Sequence, residues 1–433
     1  MIAGSPSQAP THDARVARGL SAQSLGLALT WLTLASSSVV FAEPAPYDAL
    51  MVALIAMLPL LRLTSLSKGI FLFIITWLVI GASGLVAAAR SGVLDISIKH
   101  TSISIYLSLS AVLVAAFVRK APERHTRVIV SGLMFASLLA VIAAAVGYFD
   151  AVPGARSLFT KFERARGTFK DPNVFGPFIV PALIYYVHGM ATAPTARALG
   201  RSLLAGLFCL GLLISFSRGA WFNAAVALLV YGYVVFITSR TYRLRFKLIV
   251  IAIFGMCIAT MGLAGAMQID SIASLISERT SLALSYDVGP EGRFSGQMKA
   301  FEMVAASPFG IGAQAFGRTY HGEDVHNVYL SMFLNAGWIG GFLYLGFVIT
   351  TLGVAFRHAL RPGPTQGITI VMLAAFAGLA AEGMIVDTDH WRHFYVVMGV
   401  LWGLIMARET IAPPSVVQGG HSTRFENGRS GEI

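Results

Sequence analysis

His326-Asn327-Val328-Tyr329-Leu330-Ser331-Met332-Phe333-Leu334-Asn335-Ala336-Gly337-Trp338-Ile339-Gly340-Gly341 is the stretch whose reading decides the fold. Asp324, two residues before the histidine, offers a helix N-cap, and mostly apolar residues follow to about Phe356. A run of that length crosses a lipid hydrocarbon core, which takes about 20 helical residues. The stretch therefore predicts a membrane helix whose first turn carries an imidazole at the water boundary. Gly337 and Gly341 form a small-xxx-small step, which lets a neighbouring helix approach closely. His326 and Gly337 are about three turns apart, so a regular helix puts them on one face. A helix N-terminus disfavours added positive charge, so His326 is expected neutral, the form a general base at pH 7 requires. A histidine that only caps or hydrogen-bonds a loop suits the stretch equally well.

Composition widens this reading to the whole chain. Of 433 residues, 56% are hydrophobic and 12% charged, against about 25% charged in a soluble domain. The class is a polytopic membrane protein. Cys209 and Cys257 both fall in apolar runs, which argues against a disulfide framework or a cysteine metal site. The net charge of +11 is scattered over short loops instead of forming one stripe, which speaks against nucleic acid as a partner. Apolar runs near 24–42, 47–62, 70–89, 101–118, 127–147, 173–192, 202–217, 219–238, 247–267, 327–355, 367–386 and 393–407 predict about twelve transmembrane helices. Residues 1–23 read as a polar cytoplasmic tail, 24–410 as the membrane domain and 411–433 as a loose second tail. Val40-x-Ala42 resembles a signal-peptidase site, but the preceding apolar run is long for a signal peptide, so a retained helix is expected.

Charge gives the orientation. Arg62, Lys68, Arg119, Lys120, Arg124, Arg127, Arg197, Arg201, Arg240, Arg243, Arg245, Lys247, Arg357 and Arg361 share one side. The alternate short loops hold Arg90, Lys99, Arg218 and Arg392. The positive-inside rule then places both termini in the cytoplasm. Two long outer loops break the pattern by being charged, about 148–172 and about 268–325. In the second, Phe294, Met298, Phe301, Val304 and Ala305 recur at helical spacing after Arg293, which predicts an amphipathic helix lying on the membrane surface. Ser307-Pro308-Phe309-Gly310-Ile311-Gly312 ends it with a turn.

Arg166, Arg218, Arg293 and His326 all fall on the outer side. A one-sided set of guanidiniums suits an anionic ligand, because each is a planar fork of donors that stays charged. Each also has a plainer role: Arg218 as a snorkelling helix end, Arg293 paired with Glu291 or headgroups, Arg166 paired with Glu163 or Asp171. The loop Asp387-Thr388-Asp389-His390-Trp391-Arg392-His393 suits substrate or metal binding, or a local ion-pair network, and intramembrane Glu382 shares that ambiguity.

Phe216-Ser217-Arg218-Gly219-Ala220 at a span junction, Gly292-Arg293-Phe294 with Ser307-Pro308-Phe309-Gly310-Ile311-Gly312, and His326-Asn327 with Gly337 and Gly340 resemble the O-antigen ligase and polymerase superfamily. The histidine stretch is similar to the ligase pattern of His, Asn, nine residues, Gly, two residues, Gly. Arg166-Gly167-Thr168-Phe169 with Asp171-Pro172-Asn173 is also similar to members of this group. The ligase pattern of Arg, three residues, Leu is not kept, since Phe222 stands in the last position, so ligase and polymerase both stay open. The resemblance implies a GT-C-like, metal-independent glycosyltransferase of the bacterial inner membrane that needs no cofactor and works at the periplasmic face. Its donor would be an undecaprenyl-diphosphate-linked glycan and its acceptor the lipid A–core or a second lipid-linked glycan. His326 would be the catalytic base and Arg218 and Arg293 the diphosphate ligands, with Arg166 third. Asn327, Asp389 and Arg392 are further candidates for substrate contact. A transporter or lipid flippase would also have a dozen spans, but matched halves with paired broken helices would be expected of it.

Overall fold

In lipid a backbone must satisfy its own polar groups, and apolar runs do so as helices. The computed structural model describes residues 12–268 and 292–409, and it is about 78% helical. Its helices are α1 (His12–Ala35), α2 (Pro46–Leu60), α3 (Lys68–Ala89), α4 (Leu94–Lys120), α5 (Pro122–Tyr148), α6 (Ala155–Phe159), α7 (Pro172–Thr192), α8 (Thr195–Ser215), α9 (Arg218–Thr238), α10 (Tyr242–Ala266), α11 (Arg293–Ala306), α12 (Val328–Ala359), α13 (Gln366–Glu382) and α14 (Arg392–Glu409). Between α6 and α7 a short antiparallel hairpin pairs Thr160–Lys161 (β1) with Arg164–Ala165 (β2). The protein is an all-α polytopic membrane protein.

Every expected span overlaps one of these helices, but among the described residues only seven are long and apolar enough to cross a membrane by length and composition. Ala22–Ala35, Pro46–Leu60, Gln366–Glu382 and Arg392–Ala407 are apolar but shorter. The shortfall has local causes. α1 stops at Ala35, and Val40 N–H donates to Thr168 C=O instead of continuing the helix (2.9 Å). α13 stops at Glu382, where Gly383 C=O turns to accept from Val328 N–H (2.8 Å). At the other end of α1, helix begins at His12, inside the segment expected to be a loose tail. Residues 1–11 and 410–433, most of the two expected tails, lie outside the described residues, as do residues 269–291 of the long loop.

Loop-to-loop bonds sort the connections onto two ends. On one, Lys247 Nζ reaches Ala193 C=O and Ser65 N–H reaches Ala116 C=O. On the other, Arg392 grips Asp48, Lys170 pairs with Glu43, and His326 N–H donates to Asp387. A continuous apolar core joins α1 to α5, α7 to α9 and α12 to α14 through residues such as Tyr47, Phe117, Phe178, Tyr231, Tyr344 and Phe394, all fully buried. Ala300, Phe316, Val325 and Leu334 form a separate small core that seats α11 on the start of α12.

Candidate active site

His326 lies at the junction of these parts, but not in the first helical turn. Asn327 is the N-cap, not Asp324: its Oδ1 accepts from Tyr329 N–H (3.1 Å) and Leu330 N–H (3.2 Å). Asp324 and Asn327 are both capping residue types. Burial of Val325 in the small core leaves the chain two more residues before the helix starts. His326 precedes the cap with φ of +53°, a left-handed conformation uncommon for a non-glycine residue. Neighbouring backbone donors are bound: His326 N–H by Asp387, Val328 N–H by Gly383 C=O, and Ser331 N–H by Asn327 C=O. His326 C=O accepts from Gln297 Nε2 (3.3 Å). The imidazole keeps about a third of its surface exposed, and its Nε2 is 3.9 Å from Glu323 Oε2.

Gly337 corrects a second expectation. It is not a smooth seam position: its φ of +67° and ψ of −173° break α12 into two segments. A β-carbon there would come within 2.6 Å of Pro308 C=O and 2.7 Å of the Phe309 carbonyl carbon. The close neighbour is thus the 307–312 turn and not a helix. Trp338 N–H donates to Pro308 C=O, and Ile311 and Gly312 N–H both donate to Leu334 C=O. The turn satisfies groups that the break releases, and both sequence features belong to one joint. With α12 broken and His326 outside it, the shared-face relation between His326 and Gly337 does not apply. Gly340 instead faces α3, near Ser83 and Ile80.

Arg293 opens α11 as expected. Gln297, one turn further on, is the residue that holds His326 C=O. Arg293 is half-buried, and its Nε has no hydrogen-bond partner among the described residues. Its suggested partner Glu291 is outside the described residues. The apolar face of α11 is turned outward at Phe294, Met298 and Phe301, while Gly296 and Ala300 pack inward, Gly296 against His321.

Arg218 is half-buried at the first position of α9, behind N-cap Ser217 and left-handed Phe216, so the α8–α9 junction has almost no loop. Next to it Gly219 packs on Glu382: a β-carbon there would lie 2.6 Å from Glu382 Oε1. Glu382 is fully buried and accepts from Asn223 Nδ2 (2.8 Å). Since Gly383 binds Val328, the start of α9, the end of α13 and the start of α12 form one contact chain at the site end.

The loop 149–171 supplies a residue that sequence reasoning passed over. Arg164, not Arg166, is the buried guanidinium: its Nε donates to Ser215 C=O (2.9 Å) and its Nη2 to Asn173 Oδ1 (2.6 Å). It ties the hairpin to the α8–α9 junction. Arg166 pairs with neither acid suggested for it. Glu163 is taken by Arg156 and Asp171 by Lys161, while Arg166 Nη2 donates to Leu158 C=O and its Nε has no partner among the described residues.

In the last loop, Arg392 is committed to Asp48 through two bonds (2.8 and 2.7 Å). Asp389 is buried, 3.6 Å from His100 Nε2. The His100 and His390 rings stack, and His390 Nε2 meets Ser104 Oγ (3.0 Å). Ligand atoms of His100, Asp389 and His390 lie within 4.8 Å of one another, a spacing a metal ion can close. Stacked rings already engaged with Ser104 and Asp389 are equally a hydrogen-bond cluster. Asp387 accepts His326 N–H at Oδ2 (3.0 Å) and Ser331 O–H at Oδ1 (2.6 Å). Solvent still reaches part of Asp387, yet desolvation and then the Asp389 charge push its carboxyl up to about 7. Asp387, Asp389, His100 and Ser331 line a cavity of about 30 Å³, which has room for water and not for a sugar.

The starts of α9, α11 and α12 thus meet at one end of a multi-pass membrane protein. Residues 203–345, from α8 into α12, match the family model described as O-antigen ligase. No curated protein and no solved structure matches the chain.

Proposed function

We propose that the chain is a glycosyltransferase that moves a glycan from a lipid diphosphate, of the undecaprenyl type, to an acceptor sugar hydroxyl. The site would face the periplasm from a bacterial inner membrane, with both termini in the cytoplasm. His326 takes the proton of the acceptor hydroxyl, and the oxygen attacks the anomeric carbon as the bond to the diphosphate breaks. The leaving diphosphate keeps the electron pair, and Arg218 and Arg293 would bind the negative charge that grows on it. Fixed guanidiniums can stabilise such charge without a metal, and a positioned base contributes typically about 10²–10⁴ in rate. Arg166 is a third, weaker ligand. Asn327 orders the backbone beside the base, and Asp389 lines the small cavity that Asp387 also lines.

One observation carries the reading. The helix opened by Arg293 holds the His326 carbonyl, and the helix opened by Arg218 packs on Glu382, whose neighbour holds Val328. The test is purified protein in nanodiscs with lipid-linked glycan, acceptor and EDTA. A glycosidic product is expected, and none from His326→Ala. Full activity of that variant, or loss on chelation that zinc restores, overturns the base or the metal-free step respectively. A single band separates a ligase from the ladder of a polymerase, because the two differ in acceptor.

A further inference from the structure

We infer that Asp387 and Gln297 are positioning residues that strap the His326 backbone from two sides and so aim its imidazole. This rests on the reading of His326 as the base. His326 sits outside α12, where helical geometry does not fix it, in a left-handed conformation that costs an L-residue energy. Something must hold it there. Its N–H is bound by Asp387, 61 residues away, and its C=O by Gln297, 29 residues away on α11. Asp387 is itself fixed by Ser331, one turn into α12, so a single carboxylate spans the junction between His326 and the helix it precedes. Both bonds are to the His326 backbone, and they come from different elements, so each acts on where the imidazole points. A displacement of about 1 Å at a reacting group can cost about 100-fold in rate.

The test is steady-state transfer by the full-length protein in nanodiscs, with kcat and KM determined separately for the lipid-linked donor and the acceptor. Asp387→Ala removes the strap, and we expect kcat to fall by about 10- to 100-fold with both KM values within about twofold. Asp387→Asn is the conservative rescue. Its amide oxygen still accepts His326 N–H, and the Ser331 hydroxyl can turn to accept from the amide nitrogen, so kcat should stay near wild type. Gln297→Ala, at the other strap, should lower kcat several-fold, again without a change in KM. If Asp387→Ala does not fold, the Asn variant and Gln297→Ala decide between them. Wild-type kcat in Gln297→Ala and in any folded Asp387→Ala overturns the inference. So does an Asn variant as poor as Ala, which would assign the work to the carboxylate charge, or a loss confined to KM. Wild-type protein that forms no product would overturn the transferase reading itself, which keeps the two failures apart.

Discussion

Gly337→Ala offers the sharpest test of how the site is built. The residue holds φ of +67° with ψ of −173°, a region open in practice only to glycine. Forcing an L-residue there costs about 1–3 kcal/mol. The new β-carbon would also stand 2.6 and 2.7 Å from main-chain atoms of Pro308 and Phe309, which cannot rotate away as a side chain could. Relief therefore means moving the 307–312 turn, and that puts at risk the bonds from Trp338, Ile311 and Gly312. At about 0.5–1.5 kcal/mol each, with the strain of about 1–3 kcal/mol, they amount to roughly 2.5–7.5 kcal/mol, or less if α12 relaxes into one straight helix. That straightening would shift the segment between the break and His326, so activity should fall even in protein that still folds. Gly353→Ala is the control. It lies further along the same helix with open space around its β-carbon position, and there alanine should be neutral or stabilise by up to about 1 kcal/mol. The assay is thermal unfolding in detergent followed by size-exclusion chromatography, with transfer activity on the surviving fraction. Equal melting and equal activity for the two variants would refute the idea that the break at Gly337 is a required joint.

Two further outcomes follow from the side chains at the site. Arg218→Ala and Arg293→Ala should cripple transfer and Arg166→Ala should weaken it least, while Arg→Lys should restore only part at Arg218 and Arg293 because the fork is lost; equal activity of the lysine variants would rule out bidentate phosphate binding. Asp387, pushed up to about 7, binds a proton in the folded protein that the unfolded chain, near 3.9, has already released. Its contribution is present in full below about 3.9 and is lost as pH rises towards 7, so melting temperature should fall from pH 5 to 7 in wild type by more than in Asp387→Asn; parallel curves would remove Asp387 as the titrating group.

What could be read in the sequence depended on whether the deciding contact was local. Helices were legible because the signal is carried by each run itself, as in Leu94–Lys120 or Pro122–Tyr148. The near-absence of a loop before Arg218 was legible too, since Phe216-Ser217 leaves no room for one. The cap of α12 was not: Asp324 and Asn327 are equally good candidates, and the choice is made by Val325, whose partners Ala300 and Phe316 come from elsewhere in the chain. Gly337 is the same case in another form. A glycine in an apolar run reads alike whether a helix passes close by or the backbone turns there. Only the turn at Pro308 and Phe309, about thirty residues earlier, decides it.

Arg164 and Arg166 show why the polar parts of the site were the harder half. They are two residues apart beside a short strand, and both are basic and close to the Gly167-Thr168-Phe169 motif that drew attention to Arg166. What separates them is the distant Ser215 carbonyl at the α8–α9 junction, which accepts from Arg164. A buried guanidinium must find acceptors, and a main-chain carbonyl leaves no mark in the sequence. The same holds at His326, where Asp387 and Gln297 bind backbone atoms. Residue types that advertise chemistry could be picked out from sequence. The groups that aim them work through peptide N–H and C=O, which every residue shares, and so become visible only when the chain is folded.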